Sequence, residues 1–258
     1  MKLNVVVSGP DAPDPALPPV LLAHGLFGQA RNLGMLARHL SDSRRVLSVD
    51  MRNHGDSLDD PDHSYDALAG DLARVIDDHG GRADVVGHSM GGKAAMWLAL
   101  TRPERVRRLV VLDIAPVAYG HTQNEVIDAL QSIDLSQVST RSQADAALAG
   151  KIEDKGVRAF LLQSLDVKAQ PPRWKLNLPV LRDQMDNLTG WPGHQGMRFD
   201  GPVLVVGGAD SDYVRPEYED AIRQAFPSAR IERIPNASHW LHAERPAEVA
   251  EIVAGFLD

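Results

Sequence analysis

The sequence predicts an α/β protein with a mostly parallel central sheet, helices on both faces and a helical segment inserted into it. Short apolar runs rich in β-branched residues alternate with stretches that carry apolar residues at helical spacing. The alternation stops near Pro116 and resumes near Gly201, and only helical patterns appear between them. We therefore expect one domain over residues 1–258, with a helical cap over approximately residues 116–201, called the cap segment below.

Six short apolar runs predict the strands, because strands buried on both faces of a sheet are apolar almost throughout. They cover residues 19–23, 45–49, 83–86, 106–112, 202–206 and 230–234. Apolar residues three, four and seven positions apart predict helices that cover the sheet, over residues 33–40, 68–76 and 249–256. The Pro-rich stretch 9–19 predicts a loop.

Composition excludes several classes of protein. The chain has 27 Lys and Arg against 35 Asp and Glu, a formal charge of −8, which disfavours nucleic-acid binding. It has no cysteine, so disulfides and a cysteine nucleophile are excluded, as suits a reducing compartment. It has neither a signal-peptide core nor the run of about 18 apolar residues that a membrane span needs. We expect a soluble cytoplasmic protein, either a monomer or a small homo-oligomer.

The stretch ADVVGHSMGGKAAMWLAL, residues 83–100, places Ser89 in a G-x-S-x-G motif. The motif alone is unspecific, since it arises by chance in roughly one chain in ten of this length. Its context is specific, because a predicted strand ends at Gly87, and Gly91 and Gly92 permit a sharp turn into a helix. Such a turn is a nucleophile elbow, which presents the seryl oxygen at the carboxyl edge of a sheet. Ser89 is therefore the predicted nucleophile of a serine hydrolase.

A seryl nucleophile needs a base within hydrogen-bond reach. His239 has the right position, in a loop between the last predicted strand and the terminal helix. We interpret His242 as its structural neighbour, His88 as a ring that points away from the seryl oxygen, and His24 as a brace for loops. The other histidines carry no pattern that indicates catalysis: His39, His54, His63, His79, His121 and His194.

Two places at the carboxyl ends of predicted strands supply a candidate acid. Asp113 ends one apolar run, whereas Asp210 and Asp212 follow another. Both places keep the chain order Ser, Asp, His of this elbow type. In the usual pattern of such hydrolases the acid stands three residues before a valine, and here Ser211 holds that position before Val214. We favour Asp113, keep Asp210 as the alternative, and expect Asp212 to face solvent.

The oxyanion that develops during acyl transfer needs two preorganised N–H donors. The amide of Met90 follows the nucleophile at the start of a helix, where the helix dipole favours negative charge. Leu26 lies in the loop HGLFG after a predicted strand, and the flanking glycines let its backbone approach a ligand closely. We expect the oxyanion hole to consist of the Leu26 and Met90 amides.

Five motifs occur in order and at ordinary spacing: HGLFG, VDMRNHGDS, GHSMGGK, LDIAP and ASHWLHAERP. In these motifs the chain resembles the α/β-hydrolase superfamily over its full length, and within it the YbfF-type esterases, related to the abhydrolase domain-containing 11 group. The resemblance implies an α/β-hydrolase fold and cofactor-free carboxylesterase activity on acyl esters, including thioesters such as acyl-CoA. It also implies that Asp113 is the acid, because those esterases tend to lack a carboxylate at the usual later position.

Among the basic residues in these motifs are Arg52 and Lys93. Either residue could contact an anionic group of a substrate. We interpret both as charges on a loop or a helix surface, because long basic side chains usually keep their charged ends in water.

The predicted reaction is hydrolysis of a small acyl ester or thioester by a triad of Ser89, His239 and Asp113, through an acyl-enzyme. The cap segment is expected to lie over Ser89, shape an acyl pocket and exclude water. We expect no cofactor and no metal, and the sequence has no H-E-x-x-H motif. A cofactor-free perhydrolase or haloperoxidase, or a carbon-carbon bond hydrolase, can use the same triad and is the alternative. A ligand-sensing module without catalysis is a further alternative, which a missing triad position would favour.

Overall fold

The computed structural model describes residues 2–11, 14 and 16–258, and its main feature is a seven-stranded sheet. The strands in chain order are β1 (Asn4–Ser8), β2 (Val20–Ala23), β3 (Val46–Asp50), β4 (Ala83–His88), β5 (Val106–Leu112), β6 (Leu165–Asp166), β7 (Arg173–Trp174), β8 (Val203–Gly208) and β9 (Ala229–Ile234). The sheet has the order β1-β3-β2-β4-β5-β8-β9, and its neighbouring strands are parallel except for the antiparallel pair β1 and β3. Within the predicted loop 9–19, residues Ala12, Pro13 and Pro15 lie outside the described residues.

Each of the six predicted apolar runs forms a strand of this sheet, but the prediction lacks β1. The physical reason is exposure at the sheet edge. Val6 and Val7 are 53% and 44% exposed, so β1 does not show the long continuous apolar run of a buried strand.

Helices cover both faces of the sheet. They are α1 (Gly34–Leu40), α2 (Tyr65–Asp77), α3 (Met90–Thr101), α4 (Asn124–Gln131), α5 (Arg141–Leu148), α6 (Lys155–Leu161), α7 (Leu178–Asp183), α8 (Met185–Thr189), α9 (Glu219–Ala225), α10 (Leu241–Glu244) and α11 (Pro246–Leu257). Apolar residues of α1 and α11 join one core cluster, and those of α2, α3 and α9 join the other. In the described ranges, none of these helices is long and apolar enough to cross a membrane.

The cap segment contains α4 to α8 and also the short antiparallel pair β6 and β7. The segment is helical, as expected, apart from this pair, which the sequence pattern did not indicate. Two residues per strand are too few to give the alternating pattern by which a strand is identified. The segment packs on the core cluster of α2 and α3 through buried apolar side chains, among them Ile127, Leu130, Leu148, Leu161 and Leu181.

The turn from β4 into α3 depends on glycines because backbone meets backbone there. A Cβ atom on Gly91 would lie 2.4 Å from the carbonyl oxygen of Ala23, and one on Gly87 would lie 2.3 Å from the carbonyl oxygen of Gly91. Real Cβ atoms essentially never make such contacts. The missing side chains let α3 approach the ends of β2 and β4, which brings Ser89 to the carboxyl edge of the sheet.

Candidate active site

Ser89, His239 and Asp113 form a continuous hydrogen-bonded chain at the carboxyl edge of the sheet. The Nε2 atom of His239 lies 3.0 Å from Ser89 Oγ, and its Nδ1 atom lies 2.7 Å from Asp113 Oδ2. Because a carboxylate only accepts hydrogen bonds, Nδ1 carries the proton and Nε2 can accept the proton of the Ser89 hydroxyl. This arrangement can activate a seryl nucleophile.

The backbone turns sharply at two of these three residues. Ser89 has φ 52° and ψ −119°, directly after β4, and Asp113 has φ 50°, directly after β5. Positive φ is uncommon outside glycine, and it is best tolerated by Asn and Asp. At Ser89 the strained turn holds the hydroxyl at the edge of the sheet, as a nucleophile elbow requires.

Asp113 is fully buried, and both of its carboxylate oxygens have partners. The Gly208 amide donates to Oδ1 at 2.9 Å, and the Ser211 hydroxyl donates to Oδ2 at 2.5 Å. The role of Ser211 was not predicted. Its position in the sequence could have indicated this role, because Ser211 occupies the place where the usual pattern has the acid. From that place it contacts Asp113.

The alternative acids lie elsewhere. Asp210 and Asp212 are exposed, and Asp212 pairs with Arg215 at 3.0 Å. The structure thus places Asp113 beside His239, and Asp210 and Asp212 at the surface. For Asp212 this exposure was expected.

The expected oxyanion amides belong to two segments that line the cleft together with the nucleophile. Met90 begins α3, so its N–H has no preceding helical turn to donate to. Leu26 follows Gly25, whose carbonyl oxygen accepts from the imidazole Nδ1 of His24 at 2.8 Å and from the Gly28 amide at 3.0 Å. The C=O and N–H of one planar trans peptide point in opposite directions, so fixing this carbonyl also fixes the Leu26 N–H. Leu26 and Met90 both line the cleft that contains Ser89.

A second histidine holds the same loop. The Phe27 amide donates to His54 Nε2 at 3.2 Å, while His54 Nδ1 donates to the Arg52 carbonyl at 2.8 Å. The Phe27 N–H is therefore already engaged. The ring of His63 lies 5.8 Å from that of His54 and accepts from the Asn53 side-chain amide at 3.0 Å. His54 braces the loop that carries Leu26, and His63 packs beside it; neither was singled out from the sequence.

His88 and His242 pack beside His239. The Nε2 atom of His88 donates to the backbone carbonyl of His239 at 2.9 Å, which holds the loop of the base. The ring of His242 lies 4.3 Å from that of His88, and within the described part of the chain its Nδ1 atom has no hydrogen-bond partner. The side chain of His88 thus acts on the base through its loop.

Five buried histidines around the site have pKa values below the ordinary value. Burial lowers the pKa of His24 to about 4, that of His63 to about 3 and that of His242 to about 4. It also places the pKa values of His54 and His88 well below 6.5. All five rings are therefore neutral at pH 7.

This set of histidines makes stability depend on pH. We expect the free energy of unfolding to be highest above pH 6.5 and to fall as the pH drops toward 4, because the unfolded chain binds protons that the folded chain excludes. A pKa lowered from 6.5 to about 4, as for His24 and His242, corresponds to about 3 kcal/mol per residue over that interval.

Urea unfolding at pH 7.5 and pH 5 measures this difference in the free energy of unfolding. His242→Leu should reduce it and His39→Leu, at an exposed position, should not; a urea midpoint that is equal at both pH values contradicts this account.

Ser89 lies in the wall of a cleft with about 920 Å³ of empty space, including its open mouth. His239 and Trp240 also line it. Most of the remaining lining is apolar and comes from both the core and the cap segment, including Met90, Ile114, Val126, Phe160, Met185 and Leu188. A largely apolar cleft with a seryl hydroxyl in its wall suits an acyl chain whose carbonyl carbon reaches the serine.

The ring of Tyr213 stacks on His239, with centroids 4.0 Å apart and an angle of 24° between the planes. The Tyr213 hydroxyl lies 2.7 Å from His121 Nε2, and its carbonyl accepts from the Tyr119 hydroxyl at 2.8 Å. These contacts limit the orientations that the imidazole can adopt.

Both interpretations of basic residues as surface charges are wrong. Arg52 is 5% exposed, and its Nε donates to Asp71 at 2.7 Å. Lys93 is 1% exposed, and burial lowers its pKa to about 7. Sequence reasoning missed both because α3 is buried on all sides and the partners of Arg52 lie in a later helix and loop.

In the described ranges, no group of three or more His, Cys, Asp or Glu side chains is arranged to hold a metal ion. The polar groups at the cleft include the Ser89 hydroxyl and the His239 imidazole, and the Asp113 carboxylate lies behind that imidazole.

The parallel sheet, the strained turn at Ser89 and the hydrogen-bonded chain behind it define the class of α/β hydrolases. The chain belongs to the alpha/beta hydrolase family, whose model matches residues 20–252. The predictions of fold class and family are confirmed.

Two curated relatives match most of the chain. It is 40% identical over 253 residues to the sn-1-specific diacylglycerol lipase ABHD11 of Mus musculus, covering 95% of this chain and 82% of the relative. It is also 40% identical over 242 residues to the esterase YbfF of Escherichia coli K12, covering 93% of each. Among solved structures, a marine microorganism esterase has a TM-score of 0.92 and 33% identity, with 99% of both chains covered. The predicted similarity to YbfF-type esterases and the abhydrolase domain-containing 11 group is confirmed.

Proposed function

We propose that this protein is a serine carboxylesterase that hydrolyses acyl esters, including thioesters, through an acyl-enzyme. The observation that carries the proposal is the hydrogen-bonded chain from Ser89 through His239 to Asp113 in the wall of an apolar cleft. Relatives named as esterases and a lipase support the same class of reaction.

In the first half of the reaction, Ser89 Oγ attacks the ester carbonyl carbon while His239 Nε2 takes the hydroxyl proton. The imidazolium that forms donates from Nδ1 to the Asp113 carboxylate, 2.7 Å away, which stabilises its charge. The carbonyl oxygen becomes an oxyanion, held by the amides of Leu26 and Met90. His239 then returns the proton to the leaving alcohol or thiol, and the acyl group stays on Ser89.

In the second half, water takes the place of the alcohol. His239 removes a proton from the water as the oxygen attacks the acyl carbon, the oxyanion forms again, and Ser89 leaves with its proton restored. The products are a carboxylic acid and the free enzyme. The cap segment supplies part of the apolar lining and limits the access of other water to the acyl-enzyme.

The cleft favours an apolar acyl group over a charged one. Side chains such as Val126, Phe160, Met185 and Leu188 line it from the cap segment. We therefore propose an uncharged acyl chain as the part of the substrate that enters the cleft, with the alcohol or thiol directed toward its mouth.

The test is hydrolysis of p-nitrophenyl esters from acetate to palmitate, together with labelling by a fluorophosphonate that reacts with activated serines. We expect turnover of at least part of the ester series, and a mass increase confined to the peptide that contains Ser89. Pre-incubation with a good ester substrate should slow the labelling.

Two results would count against this function. Absence of hydrolysis across esters and acyl-CoA thioesters, with Ser89 still labelled, favours a perhydrolase or a carbon-carbon bond hydrolase. Labelling at another serine contradicts the mechanism itself.

A further inference from the structure

Lys93 is a buried lysine one helical turn after the nucleophile. It lies on α3, where its amide donates to the Ser89 carbonyl at 2.9 Å, and its side chain is 1% exposed. The Nζ atom donates to the carbonyl oxygens of Thr189 at 3.0 Å and Gly190 at 2.6 Å. The lysine thus links the helix of the nucleophile to the end of α8 in the cap segment.

The partners of the Lys93 ammonium are backbone carbonyls and aromatic rings. Nζ lies 4.7 Å from the centroid of the Tyr119 ring and 5.7 Å from that of Tyr65. Within the described residues, the hydrogen bonds of Nζ go to backbone carbonyls and not to a carboxylate. Removing a lysine ammonium from water without a carboxylate partner costs free energy. The two carbonyls and the two ring faces offset part of that cost.

The carbonyls that Lys93 holds are those at the end of α8, which have no partner within the helix. A cation at this end is also favoured by the helix dipole. Two further groups bind the same end: the Tyr65 hydroxyl, from the core, donates to the Leu188 carbonyl at 2.8 Å, and the Tyr119 amide, from the cap segment itself, donates to the Thr189 carbonyl at 2.9 Å. The bonds from Lys93 and Tyr65 therefore attach the end of α8 to the core, and the two from Lys93 are charge-assisted when its amine is protonated.

The position of α8 matters for the cleft. Met185, Leu188 and Thr189 of α8 line it, as do Lys93 and Tyr65. A shift of α8 would therefore move one wall of the space that an acyl chain occupies.

We propose that Lys93 is a specificity-determining residue, which fixes α8 against the helix of the nucleophile and so sets the acyl-chain preference of the enzyme. The proposal rests on the proposed esterase function. Lys93 acts through α8, so its effect should be small for an acetyl group, which remains beside Ser89, and larger for a chain that extends along Met185 and Leu188.

The test is Lys93→Met, which keeps a long apolar stem and removes the donors. We expect the ratio of kcat/KM for p-nitrophenyl octanoate to that for the acetate to fall about tenfold, mainly through KM. Amide hydrogen exchange over residues 185–190 should become at least tenfold faster. Lys151→Met is the matched control, because it removes an exposed lysine of the cap segment, and both readouts should stay at their wild-type values.

An unchanged ester ratio or unchanged exchange in a folded Lys93→Met protein overturns the proposal. If this variant does not fold, Tyr65→Phe decides, since it removes only the hydroxyl that binds the Leu188 carbonyl. It should lower the ratio two- to threefold and speed exchange over the same residues, and no change in either refutes the proposal. A wild-type enzyme that hydrolyses no ester refutes the proposed function instead, and the selectivity role with it.

Discussion

Replacing Ser89 with alanine is expected to lower kcat for ester hydrolysis by about 10⁶-fold, because in the described part of the chain Ser89 is the hydroxyl that hydrogen-bonds to His239 Nε2. Loss of the nucleophile has an effect of this size in a serine protease with the same triad. A small rate above that in water should remain, since the oxyanion donors and the cleft are intact. Alanine has no larger side chain than serine, so the strained turn at this position should persist. The measurement is kcat on the best p-nitrophenyl ester, with circular dichroism to show that the variant is folded.

Ser211→Ala is the matched control for that experiment. It also removes a hydroxyl from the site, but one that donates to Asp113 and not one that faces the base. A single hydrogen bond to a charged group contributes about 1.5–3 kcal/mol, so we expect kcat to fall roughly tenfold to a hundredfold. Equal losses in the two variants would mean that Ser89 is not the nucleophile.

Asp113→Asn is expected to lower kcat by about 10⁴-fold, the size seen when the acid of a serine-protease triad becomes an amide. The amide can donate to Nδ1, which stabilises the wrong tautomer of His239 and leaves its imidazolium without a countercharge. Asparagine tolerates the positive φ of this position as well as aspartate does, so the backbone should keep its course. The measurement is kcat across pH 6 to 9, compared with the wild type.

Asp210→Asn provides the comparison for the acid. The residue is exposed at the same edge of the sheet, and we expect its activity to stay within about twofold of the wild type. If Asp210→Asn lowers turnover 10⁴-fold while Asp113→Asn does not, the acid is Asp210.

Most of the sheet is predictable because its strands are buried on both faces and therefore apolar throughout. The exceptions are instructive. Strand β1 pairs on one side only and exposes Val6 and Val7, and β6 and β7 are two residues long. Strand prediction depends on continuous burial or on alternation, and these strands offer neither.

The nucleophile and the base could be proposed from the sequence because each belongs to a local motif at the end of an element. The choice between Asp113 and Asp210 could not be made from residue pattern alone, since both follow strands that end at the same edge. It depends on which carboxylate lies beside the His239 loop, a distance between segments remote in sequence.

The burial of Lys93 could not be predicted from its local sequence either. Its position on a helix surface predicted exposure, but α3 is covered by the sheet, by α2 and by the cap segment. Burial of this kind depends on what packs over a helix, and that is determined by tertiary structure.

The cap segment is inserted at a single place in the fold. The segment leaves the sheet after β5 and returns at β8, and these two strands are direct neighbours. Ser89 and Asp113 both precede the insertion, while Ser211 and His239 both follow it. The cap segment can therefore be lengthened, shortened or replaced between the ends of β5 and β8. Ser89, Asp113, Ser211 and His239 lie outside it and would be unchanged. The part of the cleft lining that the cap segment contributes can therefore vary while the residues of the hydrogen-bonded chain stay the same.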